Sequence, residues 1–207
     1  ALDLAKEVMM AAYPNTPFIM DAGSSSIITI GINPTPTSTN RPKKYQGKWL
    51  VGMISANVPY LALDRNQYVV ATLAFGGNKT FSTSGVFERY YYAIDSDPVG
   101  IKRNHIINPH TGYSESYWRM VSVFGEGKSA ILDGLSTALI NLETTEEMMT
   151  MLETANTHFN IQTGVFIEED GVDDKLTIYA SRYFSDFIDH TTIKASLVTS
   201  TEIEMLD

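Results

Sequence analysis

Two neighbouring helical patterns constrain the fold of this chain more than any other feature. Residues 128–142 carry apolar side chains three or four positions apart, the spacing that one face of an α-helix requires. Thr144 and Glu147 then form the pattern of a capping box, which predicts a second helix from there to about residue 158. Because the link is so short, we expect the two helices to pack in antiparallel directions. A further helical pattern, at residues 1–12, is expected to place its apolar face in the core.

Short strand patterns stand on both sides of this helical pair. Those before it lie at residues 17–21, 27–32, 49–54, 60–64, 68–75, 86–94, 101–107 and 117–124. After it, residues 161–168 and 176–183 predict a hairpin, and the tail from residue 184 is expected to complete the sheet with a strand or two. This order predicts an α+β fold, with a mixed, mainly antiparallel sheet packed with helices, in a single domain of 207 residues.

The composition excludes several classes of function. The formal net charge is −9 and the Lys and Arg residues are scattered, which argues against a nucleic-acid-binding face. The chain has no cysteine, so disulfides, thiolate catalysis and cysteine-based zinc sites are excluded. No apolar run reaches the ~18 residues of a transmembrane helix, and no signal-peptide pattern is present. Since the chain starts at Ala1, without Met and already in a helical pattern, we expect it to be a cleaved or truncated piece of a longer protein.

The turn at residues 105–112 concentrates polar groups that can bind or react. Asn108 and Pro109 suit the first two positions of a type I turn, and a glycine supplies a permissive exit. His105 ends an apolar strand, and His110 follows within the turn. The residues fit a hairpin with incidental histidines and also a site where the backbone approaches a ligand closely, and both interpretations stay open.

Other polar segments are candidate sites or turns. The small-residue segment 22–26 is interpreted as a loop whose backbone N–H groups can reach a phosphate, and the hydroxyl-rich segment 80–85 as a second loop. Asp133 and Thr137 stand one helical turn apart and offer hard oxygen ligands that suit Mg²⁺, although they equally fit helix-dipole stabilisation and packing. The acidic segment 168–174 lacks the ligand spacing of an EF-hand loop and is interpreted as a solvated turn.

Four of these segments resemble, in the same order, the motifs of one enzyme family. Residues 105–113, H-I-I-N-P-H-T-G-Y, resemble the signature H-I-I-D-P-R-T-G-Y of the FAD:protein FMN transferases, the ApbE-like flavin transferases. Residues 133–139, D-G-L-S-T-A-L, resemble the family's D-A-L-S-T-A-L segment, and residues 83–85 resemble its T-S-G stretch. The strand, small-residue loop and strand at 18–31 match its glycine-rich loop in placement. The resemblance covers about residues 1–170 and implies an ApbE-like (T-fold-related) architecture, of which this chain is the C-terminal portion.

The resemblance also implies a reaction. FAD is split at its pyrophosphate, the FMN half is joined to a Thr or Ser hydroxyl of an acceptor flavoprotein, and AMP leaves with the help of Mg²⁺. At the matching positions, Asp133 and Thr137 become metal ligands and His105 becomes the general base that activates the acceptor hydroxyl. The residues implied to line the flavin nucleotide site are Gly23, Ser24, Ser84 and Thr111.

Alternatives to protein flavinylation stay open at the level of the sequence. The chain has Asn108 and His110 where the family signature has Asp and Arg. Hydrolysis of FAD to FMN and AMP is one alternative, and a flavin-binding module without turnover is another. The resemblance further implies a place outside the cytoplasm of a bacterium, with a membrane tether only through a missing N-terminal segment, while a cytoplasmic place stays open.

Overall fold

Eleven strands and four helices make up the part of the chain that the structure describes. The computed structural model describes residues 1–23, 25–34, 42–56, 63–64, 68–87, 89–94, 100–169, 175–189 and 200–206. The helices are α1 (Leu2–Ala12), α2 (Ser129–Leu139), α3 (Thr145–Phe159) and the short α4 (Arg182–Ser185). The strands are β1 (Phe18–Asp21), β2 (Ser26–Ile30), β3 (Trp49–Ile54), β4 (Val69–Phe75), β5 (Lys79–Gly85), β6 (Tyr90–Ala93), β7 (Ile101–Asn104), β8 (Trp118–Gly125), β9 (Thr163–Glu169), β10 (Lys175–Ser181) and β11 (Ser200–Leu206).

The strands form one large sheet and two ribbons. The large sheet has seven strands in the order β1-β2-β5-β8-β9-β10-β11, and the ribbons are β3-β4 and β6-β7. Neighbouring strands are antiparallel throughout, except that β10 and β11 are parallel. This architecture confirms the prediction of an α+β fold with a mixed, mainly antiparallel sheet packed with helices. Most of the strand predicted at residues 60–64 lies outside the described residues.

The large sheet is covered on both faces, which explains why seven of the eight residues of its strand β8 are buried. Val121 and Val123 point to one face, where they pack with Leu132 and other residues of α2 and α3. Met120 and Phe124 point to the opposite face, where they pack with the β3-β4 ribbon and α4. The alternation of side chains along one strand therefore serves two separate cores.

The helical pair begins where the sequence predicts. Thr144 Oγ1 accepts a hydrogen bond from the backbone N–H of Glu147 at 3.2 Å, and the Glu147 carboxylate accepts one from the N–H of Thr144 at 3.1 Å. The predicted capping box is thus confirmed. The start of α2 is capped from a distance instead, because the Asp3 carboxylate accepts bonds from the N–H groups of Ser129 and Ala130 at 2.8 and 3.0 Å.

Helix α1 is present, but the expectation that its apolar face lies in the core is wrong. Leu4 and Val8 are 68% and 69% exposed, and the described part of the chain buries no residue of this helix. A polar contact joins α1 to the rest of the described structure, since Asp3 caps α2, while Leu2, Ala5 and Met9 are only partly buried. None of the helices in the described residues is both long and apolar enough to cross a membrane.

The hydroxyl-rich segment interpreted as a loop at residues 80–85 is instead β5, in the interior of the large sheet. Its hydroxyls find partners on both sides of the strand. Ser82 Oγ lies 3.1 Å from Ser26 Oγ, and Thr83 Oγ1 lies 2.8 Å from Ser122 Oγ. A buried hydroxyl that is hydrogen-bonded does not carry the free-energy cost of an unsatisfied polar group, so a polar segment can form an interior strand. The loop prediction is wrong for that reason.

The acidic segment 168–174 is not a single solvated turn. Glu168 belongs to β9, has 0% of its surface exposed, and accepts hydrogen bonds from Ser55 and Ala56. The interpretation as solvated charge is therefore wrong for Glu168, because donors from another element enclose its carboxylate. Residues 170–174 lie outside the described residues.

The end of the chain completes the large sheet, as predicted. Strand β11 pairs with β10 at the edge of the sheet, in parallel register. Before it, the backbone of Asp189 donates a hydrogen bond to Thr72 of β4 at 2.8 Å. The tail thus contacts both the large sheet and the β3-β4 ribbon.

Candidate active site

A cavity of about 860 Å³ lies between the β3-β4 ribbon and the large sheet. One wall is residues 51–54 of β3, and the facing wall includes Phe81 and residues 83–85 of β5 and Met120 of β8. The other lining residues come from the end of β1 and the turn after it, from Ile27 of β2, from the segment before β6, from the turn after β7, and from α2. Segments that are far apart in the sequence therefore meet around one cavity.

The cavity brings together most of the residues that the sequence analysis selects. These lining residues are Gly23, Ser84, His105, Asp133 and Thr137. Thr111 does not line the cavity as the described residues define it. Its hydroxyl donates to the Glu115 carboxylate at 2.8 Å and accepts from the N–H of Tyr113 at 3.2 Å, so it braces the turn. Ser24 lies outside the described residues.

The Asp133 carboxylate is oriented from beneath by buried serines. Ser82 Oγ donates to Asp133 Oδ1 at 3.1 Å, and Ser26 Oγ lies 3.5 Å from the same oxygen. Both serines are buried, whereas Asp133 on α2 is exposed along the cavity. These two contacts go to Oδ1, and an ionised carboxylate keeps further acceptor capacity that can bind a cation.

Thr137 is held in a similar way, one helical turn further along α2. Its Oγ1 donates to the Asp133 carbonyl oxygen at 3.0 Å and lies 3.0 Å from Ser84 Oγ. Ser84 Oγ also lies 2.9 Å from the buried Ser136 hydroxyl. Because the Thr137 proton is directed to the carbonyl, its oxygen lone pairs are available to other donors or to a cation. Strand β5 thus presents Ser82 and Ser84, two residues apart on one face, to the two predicted metal ligands.

His105 stands at the end of β7 with one ring nitrogen engaged. Its Nδ1 lies 3.3 Å from the backbone carbonyl oxygen of Arg89, a group that can only accept. In the neutral ring the proton therefore sits on Nδ1, and Nε2 carries a lone pair. The ring is exposed and lines the cavity, which places this basic nitrogen where a reacting hydroxyl can approach.

The turn after His105 is closed through Asn108, by a backbone bond that spans four residues rather than the three of the predicted type I turn. Asn108 Oδ1 accepts a hydrogen bond from the N–H of His110 at 2.9 Å, and its carbonyl accepts one from Gly112 at 2.8 Å. Gly112 has a φ of 75°, a conformation that favours glycine. The amide of Asn108 closes the turn by local bonding, so the turn forms without the carboxylate that the family signature has at this position.

The glycine of the T-S-G segment makes room for a cavity wall. A Cβ atom at Gly85 would lie 2.5 Å from the ring of Phe87, which itself lines the cavity. The turn after β1 relies on a second glycine, Gly23, whose φ is 83° and whose N–H donates to Asp21 Oδ1 at 2.9 Å. Both glycines therefore have a backbone or packing reason to be there.

Sequence reasoning missed the residues that support the predicted ligands. Ser26, Ser82 and Ser136 are buried and bond to Asp133, to Ser84 or to each other. Their signal in the sequence is weak, because a serine in a strand or helix is common. The alternation of serines at positions 82 and 84 is the feature that could have indicated a polar strand face.

The donor set fits a hard divalent cation held by few protein groups. Within the described residues no group of three or more His, Cys, Asp and Glu side chains is placed to hold a metal. Asp133 and Thr137 supply one carboxylate and one hydroxyl oxygen, which leaves most of an octahedral shell to water and phosphate oxygens, the usual arrangement for Mg²⁺.

The fold and the cavity together define a class of protein: an α+β domain whose central strand and one helix present hydroxyl and carboxylate oxygens to the same space as a histidine. The chain belongs to the ApbE family, whose sequence model matches residues 1–161. It is also similar to the crystal structure of the ApbE protein from Thermotoga maritima, with a TM-score of 0.63, 22% identity, and coverage of 90% of this chain and 49% of that chain. The chain thus spans about half the length of that structure, and the likeness confirms the fold. A comparison with curated protein sequences finds no match.

Proposed function

We propose that the protein containing this chain is a Mg²⁺-dependent transferase that moves FMN from FAD to a Thr or Ser hydroxyl of an acceptor protein and releases AMP. The observation that carries the proposal is the convergence of Gly23, Ser84, His105, Asp133 and Thr137 on one cavity. Membership of the ApbE family supports flavin transfer as the class of activity. A cavity of about 860 Å³ is also within the range of small-molecule and cofactor sites.

In this proposal His105 is the general base. Its Nε2 takes the proton of the acceptor hydroxyl as that oxygen forms a bond to the phosphorus atom on the FMN side of FAD. The P–O bond to the AMP side breaks, and its electron pair leaves with the AMP phosphate. The bond from Nδ1 to the Arg89 carbonyl supports this role, because it fixes the tautomer with a basic Nε2.

Asp133 and Thr137 are the residues that would hold the metal, through a carboxylate and a hydroxyl group. When bound, Mg²⁺ would offset the negative charge that builds on the phosphate oxygens. Ser82 and Ser84 keep the two ligands in place through bonds of 3.1 and 3.0 Å. The arrangement is one in which a rigid sheet, rather than a loop, sets the geometry of the ligands.

The test is release of AMP by the protein at its full natural length, incubated with FAD, Mg²⁺ and a Thr-containing acceptor. Asp133→Ala is expected to reduce the rate at least about 100-fold, since a charged ligand with no replacement is lost. Asp186→Ala is the matched control, because Asp186 is an exposed aspartate that does not line the cavity among the described residues. Unchanged release of AMP by Asp133→Ala would overturn the proposal.

Hydrolysis of FAD is the second candidate, and the exposure of His105 favours it, because water can reach the same base. Here a water oxygen replaces the acceptor hydroxyl and the products are FMN and AMP. AMP release that needs no acceptor assigns the hydrolase, whereas release that rises with acceptor concentration assigns the transferase. Binding of FAD with no AMP over hours would identify a flavin-binding module instead.

A further inference from the structure

Glu168 is a buried carboxylate that the proposed reaction does not use. Its side chain has no exposed surface, and it lies on the face of β9 that also carries Phe166, towards the β3-β4 ribbon. Its Oε1 accepts hydrogen bonds from Ser55 Oγ at 2.8 Å and from the N–H of Ala56 at 2.9 Å, and Oε2 lies 3.1 Å from the same N–H. Burial of a carboxylate costs free energy unless hydrogen bonds compensate for the lost solvation, and these directional bonds supply that compensation.

The bonds from Glu168 hold the chain directly after the wall of the cavity. Ser55 and Ala56 follow β3, whose residues 51–54 form that wall. The register partner of Glu168 on β8 is Met120, which lines the cavity from the opposite side. Glu168 therefore joins the two walls at one end of the space between them.

The other directional contacts described between the ribbon and the large sheet lie away from this end of β3. Trp49 Nε1, at the start of β3, donates to the Gly31 carbonyl oxygen at 2.9 Å, and the backbone of Asp189 donates to Thr72 of β4 at 2.8 Å. The ribbon and the large sheet share an apolar cluster, and apolar contacts have no preferred direction. The pairing of β3 with β4 also shifts register between Met53 and Ile54, so the ladder is irregular where the wall ends. The hydrogen bonds to the Glu168 carboxylate are directional, and they act directly after the point where the β3-β4 ladder is irregular.

We propose that Glu168 is a positioning residue that sets the distance between β3 and the β5-β8 face, and so determines how tightly the cavity binds FAD. The inference rests on the proposed function, since it takes FAD as the ligand of the cavity. Glu168 touches no reacting atom, and its removal acts on binding more than on the chemical step.

The experiment compares Glu168→Gln with Glu169→Gln in the protein at its full natural length. Gln has the same size as Glu, but its NH₂ group is a hydrogen-bond donor. One of the N–H or O–H groups that donates to the carboxylate would therefore face another donor. We expect FAD to bind about tenfold more weakly to Glu168→Gln, with KM for FAD raised to the same extent and kcat within about threefold of the wild type. Glu169, the next residue, is the matched control and should leave all three values unchanged.

Ser55→Ala supplies a second, milder variant if Glu168→Gln folds poorly. It removes one donor and leaves the bonds to Ala56, so we expect weaker FAD binding by about threefold. A merely structural role would lower the folded fraction, which reduces apparent kcat and leaves KM and the Kd of the folded molecules unchanged. Thermal unfolding measured beside the titrations separates the two cases.

Two results would overturn the inference, and they are distinguishable. If the wild type binds FAD and the folded Glu168→Gln and Ser55→Ala variants bind it equally well, the inference alone fails. If the wild type binds no FAD, the proposed function is wrong, and the inference, which takes FAD as the ligand, is wrong as well.

Discussion

At the scale of single residues, the two histidines of the 105–112 turn have different surroundings. His105 lines the cavity and has its Nδ1 fixed by the Arg89 carbonyl, whereas His110 is exposed and contributes its backbone N–H to the turn. The turn itself would form with either histidine replaced, because its closing bonds come from Asn108 and from the backbone. Substitution of each histidine therefore separates chemistry from turn formation.

We expect His105→Gln to reduce kcat for AMP release by about 10²–10⁴-fold, the usual contribution of a general base. Binding of FAD should change little, because the side chain remains polar and of similar size. His110→Gln is the control and should keep wild-type activity. Equal loss of activity in both variants would mean that the turn, and not the base, is what the histidines support.

The serines beneath the metal ligands give a second prediction. Ser82→Ala removes the hydrogen bond to Asp133 Oδ1, and we expect the affinity for Mg²⁺ to fall about 10-fold to 100-fold. Calorimetric titration with Mg²⁺ in the presence of FAD measures this without turnover as the readout. Thr80→Ala is the matched control, since Thr80 lies on the same strand, does not line the cavity formed by the described residues, and donates to the Gly127 carbonyl oxygen at 2.9 Å rather than to a predicted ligand. Equal affinities in the two variants would contradict the supporting role of Ser82.

The sequence could indicate the candidate site residues but not the residues that support them. Asp133, Thr137 and His105 stand in segments with a recognisable order, so the resemblance selects them, and in the structure all three line the same cavity. Ser82 and Ser136 act through hydrogen bonds to residues that are distant in the sequence. Local sequence patterns do not indicate such long-range contacts. Thr111 shows the reverse case, since it belongs to the motif and yet bonds within its own turn.

At the scale of elements, a helix or strand was predicted correctly when the residues that determine it are close together in the sequence. The capping box of α3 involves residues three apart, so sequence and structure agree on it. Strand β5 has few apolar residues, and its burial depends on hydroxyl partners from β2, β8 and α2 that the segment itself does not reveal. Tertiary contacts overrode the local preference of that segment for a loop.

The capping box also gives a prediction about stability. Thr144→Ala should lower the free energy of unfolding by about 1 kcal/mol, because the first turn of α3 loses its side-chain acceptor. Thr154→Ala is a suitable control, since that hydroxyl bonds back to the Thr150 carbonyl inside the helix and contributes little. Chemical denaturation monitored by circular dichroism measures both. Equal stability of the two variants would show that the cap does not limit the stability of α3.

At the scale of the whole molecule, the order of elements predicts the fold class. It does not predict how the ribbons pack against the large sheet. The sequence patterns of the individual strands and of the helical pair predict a mainly antiparallel sheet, which is correct. The β3-β4 ribbon instead packs over the large sheet and creates the cavity, through contacts such as those of Glu168 with Ser55 and Ala56. Such long-range polar contacts have no periodicity, so a single sequence does not indicate them.

Lys79 provides a test of how the separate elements are tied together. It lies on β5, and its ammonium donates to the Glu126 carboxylate after β8 at 2.9 Å and to the Tyr183 hydroxyl of α4 at 3.0 Å. Partial burial lowers the pKa of Lys79, but the hydrogen bonds to Tyr183 and Glu126 outweigh it, so the pKa is raised above the ordinary value of 10.5. A raised pKa in the folded state means that the charged lysine stabilises the fold fully below pH 10.5, and that this contribution is lost as the pH rises through the folded-state pKa.

We therefore expect the wild type to be more stable than Lys79→Met at about pH 9, and this difference to shrink as the pH is raised above 10.5. Urea denaturation of both proteins across that range measures it, and groups that titrate in both proteins cancel in the difference. Glu126→Gln removes the charge of one of the two partners of Lys79. The difference in free energy of unfolding between Glu126→Gln and the Glu126→Gln/Lys79→Met double variant should therefore depend less on pH. A wild-type advantage that stays constant through alkaline pH would show that Lys79 joins β5 to α4 by packing of its stem, and not by its charge.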